Sequence, residues 1–147
     1  MATTRTARAV WNGDLASGSG EVTAVSSERF VNLPVSWPAR IEQPGGRTSP
    51  EELLAAAHAS CFAMALSAGL GRAGTPPTRL EVSATVTFDR VNEAWTVTKS
   101  ELTVRGSVPG ATLEAFRQAA ETAKDSCPIS RALKGNVEMS VAASLDG

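Results

Sequence analysis

The chain has 147 residues, 14 basic and 15 acidic side chains, one histidine and two cysteines, with a net charge of −1. That length suits a single domain, 1–147, with a substantial core. The balanced charge, with no long run of either sign, removes the basis for nucleic-acid binding and for attraction to an anionic membrane surface.

In chain order, Ala7, Ala9 and Trp11 alternate with polar neighbours, which predicts a strand ended by the turn NGD. The loop SGSGE precedes a second strand at Val22 and Ala24. Val31, Leu33, Val35 and Trp37 alternate again, but Pro34 and Pro38 confine them to an edge or irregular strand. The loop IEQPGGRT then leads into a long helix. Its start is well specified: Ser49 suits the N-cap, Pro50 the first helical position, and Glu52 falls three residues after the cap.

The helix is uncharged from Leu53 to Gly71 if His58 is neutral. Its Ala, Ser and Gly content gives little drive to enter lipid, so the expectation is a helix buried in protein and no membrane span. GLGRAGTPP ends it. Leu80, Val82, Ala84, Val86 and Phe88 form the cleanest alternating strand, followed by the turn RVNEA. Trp95 and Val97 then give way to Leu102 and Val104 on the opposite parity, which predicts a bulge near Lys99. PGATLEAFRQAAETAK is an amphipathic helix with Leu113, Phe116, Ala120 and Ala123 on one stripe. A break at Cys127 and Pro128 opens a short helix, and Val137, Met139, Val141 and Ala143 make a closing strand. The fold class is α+β, with strand groups packed around one long central helix.

A helix apolar nearly all round must be covered on every side. Either the sheets of one subunit wrap it, or two copies pack their small-residue helices together; the expectation is the homodimer. Arg5 and Arg8 flank only short polar and small segments, so no export signal is read. A reducing cytoplasm is expected, and there a permanent structural disulfide is rare.

Cys61 lies in the middle of the long helix, where a small apolar filler and a reactive thiol are both open readings. Cys127 precedes Pro128 at the N-cap of the short helix, where amide N–H groups and the helix dipole favour a thiolate; the alternative is a plain turn residue. Two cysteines and one histidine lack a fourth zinc ligand and any paired-cysteine spacing, so no metal is expected. A peroxide-reducing thiol needs a lowered pKa and a polar clamp. The candidate cations are Arg40, Arg47 and His58. An arginine suits better, because it stays charged and forks onto a carboxylate. Glu52 is placed to fold back on the cap, which leaves Glu51 to hold the arginine. Glu51 and Cys61 are ten residues apart on one helix, about 15 Å, too far for their side chains to meet within one subunit. Either the arginine spans that gap or Glu51 comes from the partner helix of a dimer; the expectation is composite sites at the dimer interface.

The blocks AVWNGDLASGSGEV, PARIEQPGGRTSPEELLAAAHASCFAMALS and CPISRALKGNVEMSV span nearly the whole chain. Through them the sequence resembles the OsmC family of thiol peroxidases, relatives of the organic hydroperoxide resistance (Ohr) proteins. The resemblance implies an intertwined α+β homodimer with two interface sites. Cys61 in ASCFAMALS matches the peroxidatic cysteine, and Cys127 in CPIS the resolving cysteine that closes an intramolecular disulfide with it. Arg40 in PARIE matches the active-site arginine and Glu51 in SPEEL its partner. Arg40 and the AAHAS context favour OsmC over Ohr, whose arginine lies in a more N-terminal loop. Arg47 is a second arginine in the same loop.

The implied chemistry is attack of the Cys61 thiolate on an organic hydroperoxide, or hydrogen peroxide, as a stress defence. A sulfenic acid forms, Cys127 closes the disulfide, and a dithiol reductant, of lipoyl type in the family, reopens it. No metal, haem or flavin cofactor enters. Phe62 and Met64 are expected to line an apolar pocket, and His58 is read as a packed helix residue. Two other readings remain: a redox sensor using the same thiols, and an idle module binding a small ligand.

Overall fold

The computed structural model describes residues 1–146. The chain divides into two compact units, Met1–Leu53 and Leu54–Gly147.

In the first unit, β1 (Ala7–Asn12), β2 (Ser19–Ala24) and β3 (Leu33–Val35) form an antiparallel sheet in the order β1-β2-β3. The register places Trp11 opposite Gly20. A Cβ at Gly20 would lie 2.7 Å from the Trp11 ring and 2.8 Å from the Val10 carbonyl oxygen, so only glycine lets the indole cross that strand. Pro34 occupies the edge strand, as the sequence predicts. Trp37 and Pro38 correct the prediction. They open a short helix, α1 (Trp37–Ile41), capped by Ser36, whose Oγ accepts from the Ala39 N–H at 3.2 Å. A serine followed by proline within the first helical turn is an N-terminus signal, and it outweighs the alternation that suggested a longer strand. Val31 also lies outside β3 and is exposed.

The long helix α2 (Pro50–Arg72) starts where the sequence places it. Ser49 Oγ accepts from the Glu52 N–H at 3.1 Å, and the Glu52 carboxylate turns back to accept from Thr48 Oγ1 at 2.6 Å. The fold-back thus uses the hydroxyl beside the cap, not the cap's own amide.

In the second unit, β4 (Arg79–Val91) and β5 (Ala94–Ser107) form an antiparallel hairpin. Asn92 and Glu93 both have positive φ at its turn, matching the twist of the paired strands. Thr87 pairs with Lys99 but Phe88 with Val97, so Thr98 is the extra residue of a bulge beside the predicted position. Beyond it Ser100, Leu102, Val104 and Gly106 face inward. The chain returns through α3 (Leu113–Ser126) and α4 (Pro128–Leu133) to β6 (Glu138–Leu145), parallel to β5.

The core of this unit gathers Phe62, Leu66 and Leu70 of α2, Leu102 and Val104 of β5, and Phe116, Ala120, Ala123 and Cys127 around α3. Each large apolar side chain buried there contributes about 1.5–3 kcal/mol. Leu113, assigned to the α3 stripe from sequence, is 40% exposed: it stands at the first helical position, before the inward face begins.

On α2 the inward stripe is His58, Phe62, Leu66 and Leu70, every fourth residue. The opposite face is uncovered. Ala56, Ser60, Ser67 and Ala68 are exposed and Met64 is 72% exposed. Within its own unit, therefore, the helix is covered on one side only. By length and composition alone it is also long and apolar enough to cross a membrane.

Candidate thiol site and the arginine–glutamate pair

Arg40 sits in the last turn of α1 and Glu51 in the first turn of α2, both in the first unit. The Arg40 Nε–H donates to both Glu51 carboxylate oxygens, at 2.5 and 3.1 Å. Glu51 is nearly buried and the arginine half-buried, a setting in which a charge-assisted contact is worth more than on an open surface. The guanidinium carbon also lies 5.9 Å from the Trp37 ring centre. The pair thereby fixes the cation against an aromatic wall. Beside it a groove of about 320 Å³ is lined by Trp11, Leu15, Val35, Trp37, Arg40 and Pro50, an apolar trough with one cationic rim. Arg47, the competing cation, is exposed, and its backbone N–H closes a turn onto Pro44. Of the two arginines, Arg40 is the one that holds Glu51.

The thiols meet in the second unit. Cys127 ends α3, donating its N–H to the Ala123 carbonyl, and at the same time caps α4, its sulfur accepting from the Ser130 N–H at 3.3 Å. Pro128 at the next position forces this break, because it cannot continue the α3 hydrogen bonds. Cys127 is fully buried, whereas Cys61 is half-buried, and both are free thiols. Burial pushes the Cys61 thiol up, chiefly by desolvating its charged form. The Ile129 backbone N–H opposes that effect, and the neighbouring Cys127 thiol reinforces it. Two cysteines 66 positions apart in sequence are thus brought near enough for one to perturb the ionisation of the other.

His58 is fully buried, with Nδ1 2.6 Å from Ser100 Oγ and Nε2 2.8 Å from Ser130 Oγ. The Ser130 hydroxyl lies 3.1 Å from Cys127 Sγ. Desolvation pulls the imidazole pKa below its ordinary value. The sequence gives no hint of this chain of contacts. Ser100 and Ser130 stand 42 and 72 residues from His58, and a serine on a strand or in a short helix carries no signal of its own.

The expected apolar pocket at Phe62 and Met64 does not form from that pair. Phe62 is fully buried in the core, while Met64 borders an open surface with Ser67, Pro77 and Leu80. The two residues are two apart on a helix and so face nearly opposite ways. Among the described residues, no group of three or more histidine, cysteine or acidic side chains converges as metal ligands.

A family model described as OsmC-like protein matches residues 43–142. The chain is 39% identical over 132 residues to peroxiredoxin OsmC of Escherichia coli (strain K12), covering 90% of this chain and 91% of that protein. It is 27% identical over 128 residues to an organic hydroperoxide resistance protein of Xanthomonas axonopodis pv. citri, covering 86% and 88%. Among solved structures, an organic hydroperoxide resistance protein from Elizabethkingia anophelis superposes with a TM-score of 0.74 at 28% identity, over 99% of this chain and 100% of that one.

Proposed function

Because this chain belongs to the OsmC-like family, we propose that it is a cysteine-based peroxidase that reduces organic hydroperoxides, and hydrogen peroxide, in the cytoplasm under oxidative and osmotic stress. One observation carries the reading: the only two cysteines are free thiols, one half-buried and one fully buried, near enough that Cys127 perturbs the ionisation of Cys61.

In this mechanism the Cys61 thiolate attacks one peroxide oxygen, the O–O bond breaks, and the alcohol leaves with a proton. Cys61 becomes a sulfenic acid. Cys127 then attacks the Cys61 sulfur, its S–O bond breaks, and water leaves as the disulfide forms. A dithiol reductant, of lipoyl type, restores both thiols by exchange.

Burial disfavours ionisation of Cys61, so a cation must join it for attack at neutral pH. The Arg40–Glu51 pair is that cation and its anchor, brought to the thiol in an assembled homodimer. The uncovered small-residue face of α2 supports such an assembly, since small side chains let a second copy's helix approach closely. The apolar groove beside Arg40 favours an organic over an inorganic peroxide, because an alkyl or aryl group gains by leaving water there.

The test is reduced protein with cumene hydroperoxide and a dithiol, following peroxide loss and free thiols together. Multiple turnovers abolished by Cys61→Ser are expected. One equivalent of oxidation without turnover would make the chain a redox sensor, and thiols inert to peroxide would leave only a ligand-binding module.

A further inference from the structure

His58 is the chain's only histidine, and the peroxide chemistry above leaves it unused. It is nonetheless the centre of a buried relay. Ser100 on β5, His58 on α2, Ser130 on α4 and Cys127 at the α3–α4 junction are all fully buried. They are joined in series by contacts of 2.6, 2.8 and 3.1 Å. A histidine needed only for packing is a costly choice, since an apolar side chain would fill the same space without two polar nitrogens to satisfy.

The chemistry of Cys127 supplies a reason for it. The attacking species in disulfide formation is the thiolate, so Cys127 must lose a proton. Its sulfur is sealed from solvent, and no water-borne base reaches it. The proton therefore leaves through the protein, and the Ser130 hydroxyl bonded to that sulfur is in turn bonded to an imidazole nitrogen. A neutral imidazole has one donor and one acceptor nitrogen. In the tautomer protonated at Nδ1, that nitrogen donates to Ser100 Oγ, 2.6 Å away, and Nε2 is the acceptor facing Ser130 Oγ at 2.8 Å.

On the peroxidase reading, we infer that Ser130 and His58 form a proton relay that activates Cys127 for disulfide closure. Ser130 is the catalytic group touching the reacting sulfur, and His58 is the positioning residue that receives the proton through it. The Cys127 S–H proton passes to Ser130 Oγ as the Ser130 hydroxyl proton passes to His58 Nε2. The Ser130 O–H and N–H then both donate to the new thiolate. The thiolate attacks Cys61: the S–S bond forms, the S–O bond of the sulfenic acid breaks, and the departing hydroxide takes up the proton that the imidazolium returns through Ser130, leaving as water. The sum is one sulfenic acid plus one thiol giving one disulfide plus one water.

The same step can be entered without peroxide. Half-buried Cys61 is converted to a mixed disulfide with the chromogenic 5-thio-2-nitrobenzoate, and release of that aryl thiolate reports the attack by Cys127. Positioned acid–base groups contribute about 10²–10⁴-fold, so His58→Gln and Ser130→Ala are expected to slow release by about 10²-fold or more and to lose the solvent deuterium isotope effect of the wild type. Ser130→Thr, which keeps the hydroxyl, restores most of the rate. Release from His58→Gln within about 2-fold of wild type overturns the relay, as does an undiminished isotope effect in that variant. If His58→Gln does not fold, the Ser130→Ala and Ser130→Thr pair decides by the same criteria. A wild type that ignores cumene hydroperoxide yet shows these differences in aryl thiolate release keeps the relay and loses the peroxidase reading.

Discussion

Glu51→Gln removes one charge while preserving shape, and it isolates what the Arg40 pair does. The wild-type guanidinium donates through Nε to both carboxylate oxygens at 2.5 and 3.1 Å, with the Glu51 side chain 10% exposed and that of Arg40 31% exposed. Hydrogen bonds to charged groups contribute about 1.5–3 kcal/mol, and fully exposed ion pairs about 0–1 kcal/mol. This pair lies between those limits. Glutamine keeps a carbonyl acceptor for Nε–H, which retains part of the contact, while loss of a first-turn carboxylate removes about 0.3–1 kcal/mol of helix-dipole stabilisation. The expected net loss is about 1–2 kcal/mol, or a Tm lower by about 3–6 °C for a chain of this size. Urea unfolding at one fixed protein concentration is the assay, because self-assembly would add stability by mass action. A double-mutant cycle with Arg40→Met should give a coupling of about 1 kcal/mol. Coupling below about 0.3 kcal/mol would refute the reasoning and make the pair a solvated surface contact. If Glu51 orients the cation for Cys61, the same variant also slows the first oxidation about 10-fold, the equivalent of about 1.4 kcal/mol of lost transition-state stabilisation.

Other outcomes follow from the packing and burial of single residues. Gly106→Ala places a Cβ 2.7 Å from Cζ of the fully buried Phe116 and 3.2 Å from Leu80, so overpacking should destabilise by about 1–3 kcal/mol. An unchanged urea midpoint counts against that packing. Cys127→Ser should consume one equivalent of peroxide and then carry Cys61 on to sulfinic acid, visible by mass spectrometry; sustained turnover with a dithiol removes Cys127 as the resolving thiol. Burial holds the His58 pKa below its ordinary value of 6.5. Below about pH 6.5 the unfolded chain thus binds a proton that the folded chain refuses, and His58 contributes a loss of stability on acidification. The drop in urea midpoint between about pH 7.5 and about pH 5.5 should be larger in wild type than in His58→Gln; equal drops refute the assignment.

The sequence alone determined what rests on local rules. The Ser49–Pro50–Glu52 start of α2 follows from the capping needs of any helix, and the Pro128 break that puts Cys127 at an N-cap follows from a missing N–H. The parity switch in β5 follows because side chains alternate strictly, so one extra residue, Thr98, must intervene. The motif blocks that carry the family resemblance, and with them the choice of Cys61, Cys127, Arg40 and Glu51, are equally a property of the string of residues. Local rules also misled at Trp37, where alternation suggested strand but the Ser36 cap and Pro38 started α1. Only the tertiary structure decided which face of α2 is covered, because its Ala-rich sequence is apolar on both and carries no stripe to read. It also decided the role open to His58. The histidine's partners lie 42 and 72 residues away on β5 and α4, and a hydrogen bond between such distant positions exists only once the hairpin and the helices have packed around it.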